Sequence, residues 1–284
     1  MAVFLTAVGM VIHQLESVLI KLYNRKYTKG GFLFTGLISL FAMVFFAFTD
    51  TDGFLLPKEL LPYTVAAGIL FCGASILTYL ALGWGSFVLS NLILSYSLLI
   101  SIGYGIFWLG ESASILTWGG IGLMLVSLYL VRGGSQEEGM RFSWKWLVAI
   151  LLSSLCSGLF SVLRRVQQLR FADSCTHEFM LVILAISACV LLAVGAAIEG
   201  KDILTVLKAC GGFAALAGLA NGASNLVAFW VELLLPISVL APTRSGVQIL
   251  LSFAISRFLF RERFLKRQIL GVVLGAVALV LLNL

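Results

Sequence analysis

Apolar runs of roughly 20 residues recur along the whole chain, each closed by a short polar or glycine-containing break. About 20 predominantly apolar residues are what a helix needs to cross a ~30 Å hydrocarbon layer. The pattern predicts ten spans, at approximately 2–21, 31–49, 62–82, 86–110, 115–132, 146–168, 178–199, 210–232, 237–260 and 266–284. The breaks are clearest at Lys21–Gly31, Asp50–Glu59 and Arg132–Lys145. The last contains GGSQEEG, is the longest polar stretch, and falls between the fifth and sixth spans. Spans three and four are joined only by Gly83–Trp84–Gly85, and spans four and five by Gly110–Ser114. This is the pattern of a tight array of helical hairpins.

Composition sharpens the class. Hydrophobic residues make up 61% of the 284 and charged residues 11%, with a mean hydropathy of +1.07. A soluble domain carries about 25% charged residues, so the chain reads as an all-α integral membrane protein of the cell membrane, crossing it many times. The first run lacks a basic leader and holds His13 and Glu16, which argues against a signal peptide. The cysteines at 72, 156, 175, 189 and 210 show no metal or disulfide spacing and read as packing residues. The net charge of +6 sits in basic residues at span borders, so no nucleic-acid partner is expected. The expected partners are the bilayer and a small-molecule substrate, with the chain a monomer or weak dimer. No cofactor is expected, and no phosphate-binding loop of the G-x-x-x-x-G-K-[S/T] type is present.

The chain also repeats itself. Phe107–Val131 (FWLGESASILTWGGIGLMLVSLYLV) aligns without gaps on Phe258–Leu282 (FLFRERFLKRQILGVVLGAVALVLL), placing Glu111 on Glu262 and Gly120 on Gly271. Extended back to Tyr79 and Trp230, the match gives twelve identities in fifty-three positions. Near the start of each half, SVLIKLYNRKY (Ser17–Tyr27) corresponds to SVLRRVQQLRF (Ser161–Phe171). The predicted organisation is a first repeat at 1–132, a polar linker at 133–145 and a second repeat at 146–284. Five spans per repeat force the two to lie in opposite orientation, related by about half a turn around an axis in the membrane plane. Inverted repeats of this kind place a binding site near the midplane, where the halves meet.

Five-span repeats ending in a Glu-x8-Gly helix hairpin resemble the EamA domains of the drug/metabolite transporter superfamily. The resemblance covers nearly the whole chain and rests on Glu111 with Gly120, Glu262 with Gly271, and Tyr79–Leu80–Ala81–Leu82. It implies that helices 1, 3, 4, 6, 8 and 9 line a central cavity while helices 5 and 10 pack outside. Many members carry a proline about four turns before the hairpin glutamate; here Tyr96 and Val247 stand in that region, and Pro242 lies earlier in the second half only. The resemblance places both termini inside the cell. The positive-inside rule points the other way, because the side holding both termini has only Lys58, Arg164, Arg165 and Arg170.

The chemistry must lie in polar residues within the spans, since an ionisable group facing lipid is costly. Asn221, Asn225 and Glu232 share one face of the eighth span. Arg244 and Gln248 lie four residues apart on the ninth, Asn91 and Ser95 share a face of the fourth beside Tyr96, and His13 and Glu16 lie three apart on the first. At a ~1.5 Å rise per residue, His13, Tyr96, Asn221 and Gln248 each sit roughly 15–18 Å from one end of their spans, near the midplane. They are expected to face one central space, with Asn225 and Arg244 on its wall. Single Asn and Ser residues also serve as interhelical hydrogen bonds, whereas two ionisable groups on one face of one span are rare. Glu111 and Glu262, at hairpin turns beside basic residues, read as structural, and the GxxxG pairs Gly218–Gly222 and Gly271–Gly275 as close helix packing.

Glu16 and Glu232 favour a cation and Arg244 a carboxylate or phosphate, a combination suited to a zwitterion such as an amino acid or amine-like metabolite. A carboxylate taken out of water holds its proton more tightly, which makes Glu16, with His13 beside it, the candidate for proton coupling. The expectation is a secondary transporter working by alternating access and not an enzyme. The alternative is a flippase for a lipid or lipid-linked substrate on the same fold. An intramembrane transferase is disfavoured because the aspartates, Asp50, Asp52, Asp173 and Asp202, all lie in loops.

Overall fold

The computed structural model describes residues 2–27, 30–49, 56–108, 110, 114–131, 143–171, 175–199, 203–234, 248, 251–262 and 265–281. Among them every regular element is helical. In chain order these are α1 (Ala2–Lys26), α2 (Gly31–Thr49), a 3₁₀ turn (Lys58–Leu60), α3 (Leu61–Trp84), α4 (Phe87–Ser95), α5 (Leu98–Trp108) and α6 (Ile115–Val131). There follow α7 (Trp144–Phe171), α8 (Thr176–Glu199), α9 (Ile203–Leu234), α10 (251–258) and α11 (Lys266–Leu281). Five helical stretches, Phe4–Lys26, Gly31–Thr49, Lys58–Trp84, Trp144–Phe171 and Thr176–Glu199, are long and apolar enough to cross a bilayer. The outer surface agrees with that: Phe4, Ile69, Leu125 and Val273 are all exposed, as lipid-facing side chains are and water-facing ones rarely are.

Two predicted spans need correction. The fourth, expected as one helix over 86–110, is two helices joined by a turn at Tyr96–Ser97. The amides of Tyr96 and Ser97 bond back three residues, to Ile93 O (3.0 Å) and Leu94 O (3.1 Å). The Asn91 and Ser95 side chains donate to the carbonyls four residues earlier, at Phe87 (3.0 Å) and Asn91 (2.9 Å), the local competition that loosens helices at such residues. The Ile93 carbonyl accepts a further bond from Ser154 Oγ of α7, at 3.0 Å. Tertiary contacts therefore make the break without a proline. The eighth span is also longer than expected, since α9 runs from Ile203 to Leu234.

Small residues and hydroxyls fix how the helices meet. A Cβ on Gly218 would lie 2.5 Å from Phe41 Cβ, and one on Gly222 2.7 Å from the Phe45 ring. That GxxxG pair thus seats α9 directly on α2, as its spacing suggests. Between α2 and α8, Ser39 and Ser187 share a hydrogen bond at 3.0 Å, and Glu199 at the end of α8 accepts from the Phe32 and Leu33 amides at the start of α2. These contacts make α2 and α8 antiparallel. Glu16–Asn221 and Gly9–Val227 make α1 and α9 antiparallel. Thr78–Ser153 and Tyr63–Arg170 do the same for α3 and α7, and Ser127–Gly271 with Tyr129–Arg267 for α6 and α11. The bundle consequently has a Lys21 end, where α1 and α3 finish and α2, α7 and α11 begin, and a Tyr63 end opposite. At the Lys21 end Tyr23 stacks on Phe34 with centroids 3.9 Å apart, in a core that includes Tyr79, Phe87 and Phe260.

Candidate functional site

The middle of α1 meets α9 through polar groups. Glu16 stands ten residues before Lys26, roughly 15 Å along the helix from that end. Its carboxylate is largely buried, and Oε1 accepts a hydrogen bond from Asn221 Nδ2 at 3.0 Å. Asn221 Oδ1 in turn accepts from Asn225 Nδ2 at 3.1 Å, and the same amide reaches the Asn221 carbonyl at 3.0 Å. On the other side, His13 Nδ1 lies 3.6 Å from Glu16 Oε2. That oxygen is buried and accepts no hydrogen bond from the described residues. A buried carboxylate oxygen left without a donor costs free energy, so among the described residues the site has room for one more positive or hydrogen-bond-donating group. Toward the Tyr63 end, Thr6, Gly9 and Met10 of α1 and Ser224 and Val227 of α9 line a small, mainly apolar pocket.

The structure brings together His13, Glu16, Asn221 and Asn225, each from the predicted set. It places Tyr96 elsewhere. The Tyr96 hydroxyl pairs with Ser127 Oγ of α6 at 2.6 Å, and Ser127 donates to Gly271 O of α11 at 2.6 Å. Tyr96 thus ties the α4–α5 turn to the α6–α11 pair. Asn91 is buried and satisfied within its own helix. Gln248 adjoins α1 through its backbone, whose carbonyl accepts from Gln14 Nε2 at 3.5 Å. The Glu232 side chain and Arg244 lie outside the described residues, as does Glu111.

Two further polar features were not anticipated. Gln14, fully buried, donates to Ser252 Oγ of α10 at 2.9 Å, and its buried Oε1 has no hydrogen bond among the described residues. At the Lys21 end, Lys21 pairs with Glu262 and donates to Gly85 O at 3.1 Å. Glu262 Oε2 accepts from Ser86 Oγ at 2.6 Å and from Ser256 Oγ, and both its oxygens accept from the Phe87 amide at the start of α4. Burial pushes the Glu262 carboxyl upward, but the Lys21 charge and the bonds from Lys21, Ser256 and Ser86 outweigh it and hold the group below the ordinary carboxylate range. The sequence did carry a signal for this row. Gln14, Ser17 and Lys21 follow a three-and-four spacing that lines up one polar stripe on an otherwise apolar helix.

No family model matches the chain, and no curated protein matches it. Twenty-three chains of solved structures do match. One of them, described only as "Crystal structure of protein", superposes with a TM-score of 0.51 at 16% sequence identity, over 96% of this chain and 97% of that one. At that identity the likeness is one of fold alone.

Proposed function

We propose that this chain is a secondary transporter of a small polar metabolite, amino acid or amine-like, that works by alternating access between two inverted five-helix repeats, 1–132 and 146–284. The observation that carries the reading is the Glu16 carboxylate: buried halfway along a membrane helix, with one oxygen held by Asn221 and the other without a hydrogen bond among the described residues. Ionisable groups inside membrane bundles mark substrate and proton pathways by default. A substrate ammonium fits that second oxygen, Asn225 and Asn221 supply amides for its polar remainder, and His13 lies close enough to exchange a proton with the carboxylate.

Helix directions support the inverted arrangement. Counting α4 and α5 as one broken span, α1 corresponds to α7, α2 to α8, α3 to α9 and α6 to α11. The antiparallel contacts run α1 opposite to α9 and α3 opposite to α7, so corresponding members of the two halves point in opposite directions. The packing of α1 on α9 has its counterpart in that of α7 on α3. The resemblance to drug/metabolite transporters agrees with this reading and adds the expectation of a multi-pass protein in the cell membrane.

A thermal-shift screen of the purified protein against amino acids, amines, nucleosides and lipid-linked compounds tests the reading. An amine-bearing compound at about 100 times its Kd stabilises the protein by about 2.7 kcal/mol, and Glu16→Gln removes that stabilisation. If only lipid-linked compounds stabilise, the flippase reading takes its place. If no stabilisation depends on Glu16, the site is wrong.

A further inference from the structure

The buried Lys21–Glu262 pair takes no part in the proposed Glu16 site. Both residues are almost fully buried, and the pair joins three separate parts of the chain. Lys21 belongs to the last turns of α1, Gly85, Ser86 and Phe87 form the α3–α4 junction, and Glu262 and Ser256 lie at the α10–α11 corner. Two of these parts belong to the first half of the chain and one to the second. The Phe87 and Phe260 rings, 5.2 Å apart, flank the ammonium at 5.8 and 4.9 Å, and Arg25 covers Phe260 from outside at 4.8 Å. Beneath this plug, one turn inward on the same face of α1, lie Ser17 and then Gln14, which leads to α10 through Ser252. The pocket beside Thr6 lies on the far side of Glu16.

We propose that the Lys21–Glu262 pair, with Ser86, Ser256 and the α4 N-terminus, is a gate that closes the Lys21 end of the transport pathway and opens when the halves rock apart. The inference rests on the alternating-access reading. Its physical basis is the near-balance of a buried ion pair, in which the cost of taking two charges out of water is about matched by their attraction and hydrogen bonds. An apolar plug of the same size would favour closure throughout the cycle, whereas an ion pair that regains water on opening can be broken and remade by a substrate's differential affinity. The pair bridges the two halves, which rock relative to each other in transporters of this design. The repeat also encodes the same charges for the opposite end: Arg165 aligns with Lys21 and Glu111 with Glu262.

Chemical labelling tests the gate without knowledge of the substrate. The five native cysteines are replaced, Ser17→Cys is introduced, and vesicles are treated from the Lys21 end with a membrane-impermeant thiol reagent. With the pair intact, labelling at position 17 is slow. Glu262→Gln raises the rate roughly tenfold by favouring the open state, while Lys21→Arg keeps it slow. Thermal unfolding of each variant confirms that it is folded. If Glu262→Gln does not fold, Ser86→Ala combined with Ser256→Ala, which removes two donors and leaves both charges, replaces it and raises the rate roughly threefold. Labelling that stays at the rate of the intact pair in a folded variant overturns the gate. The two readings fail separately: unchanged labelling alongside Glu16-dependent substrate binding removes the gate alone. Faster labelling in a protein that binds none of the screened compounds removes the amino-acid or amine substrate at Glu16 and leaves the gate.

Discussion

Glu262 remains ionised while almost fully buried because four groups converge on it: the Lys21 ammonium, the hydroxyls of Ser86 and Ser256, and the Phe87 amide. Removing one partner of a buried pair costs about 3–5 kcal/mol. Glu262→Gln keeps some of the hydrogen bonds, so at pH 7 it should lower stability by about 3 kcal/mol, toward the lower end of that range. The folded-state affinity for a proton is depressed, so the stabilisation is complete above the unfolded value of about 4.5 and is lost as pH falls through the lower folded value. Unfolding midpoints of wild type and Glu262→Gln in detergent should therefore differ most near neutrality and converge below pH 4.5. A constant difference down to acid pH would mean the carboxylate is not held ionised by its neighbours. At this scale the sequence was only partly legible. His13, Glu16, Asn221 and Asn225 announced themselves as polar residues on common faces in apolar helices. The partner of Glu262 did not, because Lys21 is one of several basic residues near the end of α1 and only the fold selects it over Arg25 and Lys26.

The elements themselves were easier to read, since span length and glycine breaks mark where helices start and stop. The exceptions among the described residues are the extra length of α9 and the α4–α5 turn. Nothing in a run of apolar residues shows that Ser154 will take the Ile93 carbonyl, or that Tyr96 will be pulled toward Ser127. No proline marks Tyr96, and the break is there nonetheless. Its packing depends on Gly158 of α7, where an added Cβ would lie 2.4 Å from Ile100 Cδ1 and 2.8 Å from Ser97 O. Gly158→Ala should therefore lower the unfolding midpoint, at a cost of about 1–3 kcal/mol from overpacking. Gly122→Ala on α6, where a Cβ would meet nothing within 4 Å, should be neutral or stabilising by up to about 1 kcal/mol. Equal effects at the two glycines would contradict the packing described for the turn.

For the molecule as a whole, α1 packs on α9 and α3 on α7, a cross-pairing for which the proposed inverted repeat offers an account. Periodicity alone could not give those pairings, because apolar helices in lipid are selected by glycine fit and a few hydroxyls. The central claim is that Glu16, held by Asn221 at the meeting of α1 and α9, couples proton movement to substrate movement. Proteoliposomes loaded with a compound identified by thermal shift test it directly, comparing uptake driven by a pH gradient with exchange of labelled substrate at equal pH. Glu16→Gln should yield folded, inserted protein in which pH-driven uptake is abolished and equal-pH exchange survives, since exchange needs no net proton transfer. Uptake by Glu16→Gln with the pH profile of wild type would contradict the account.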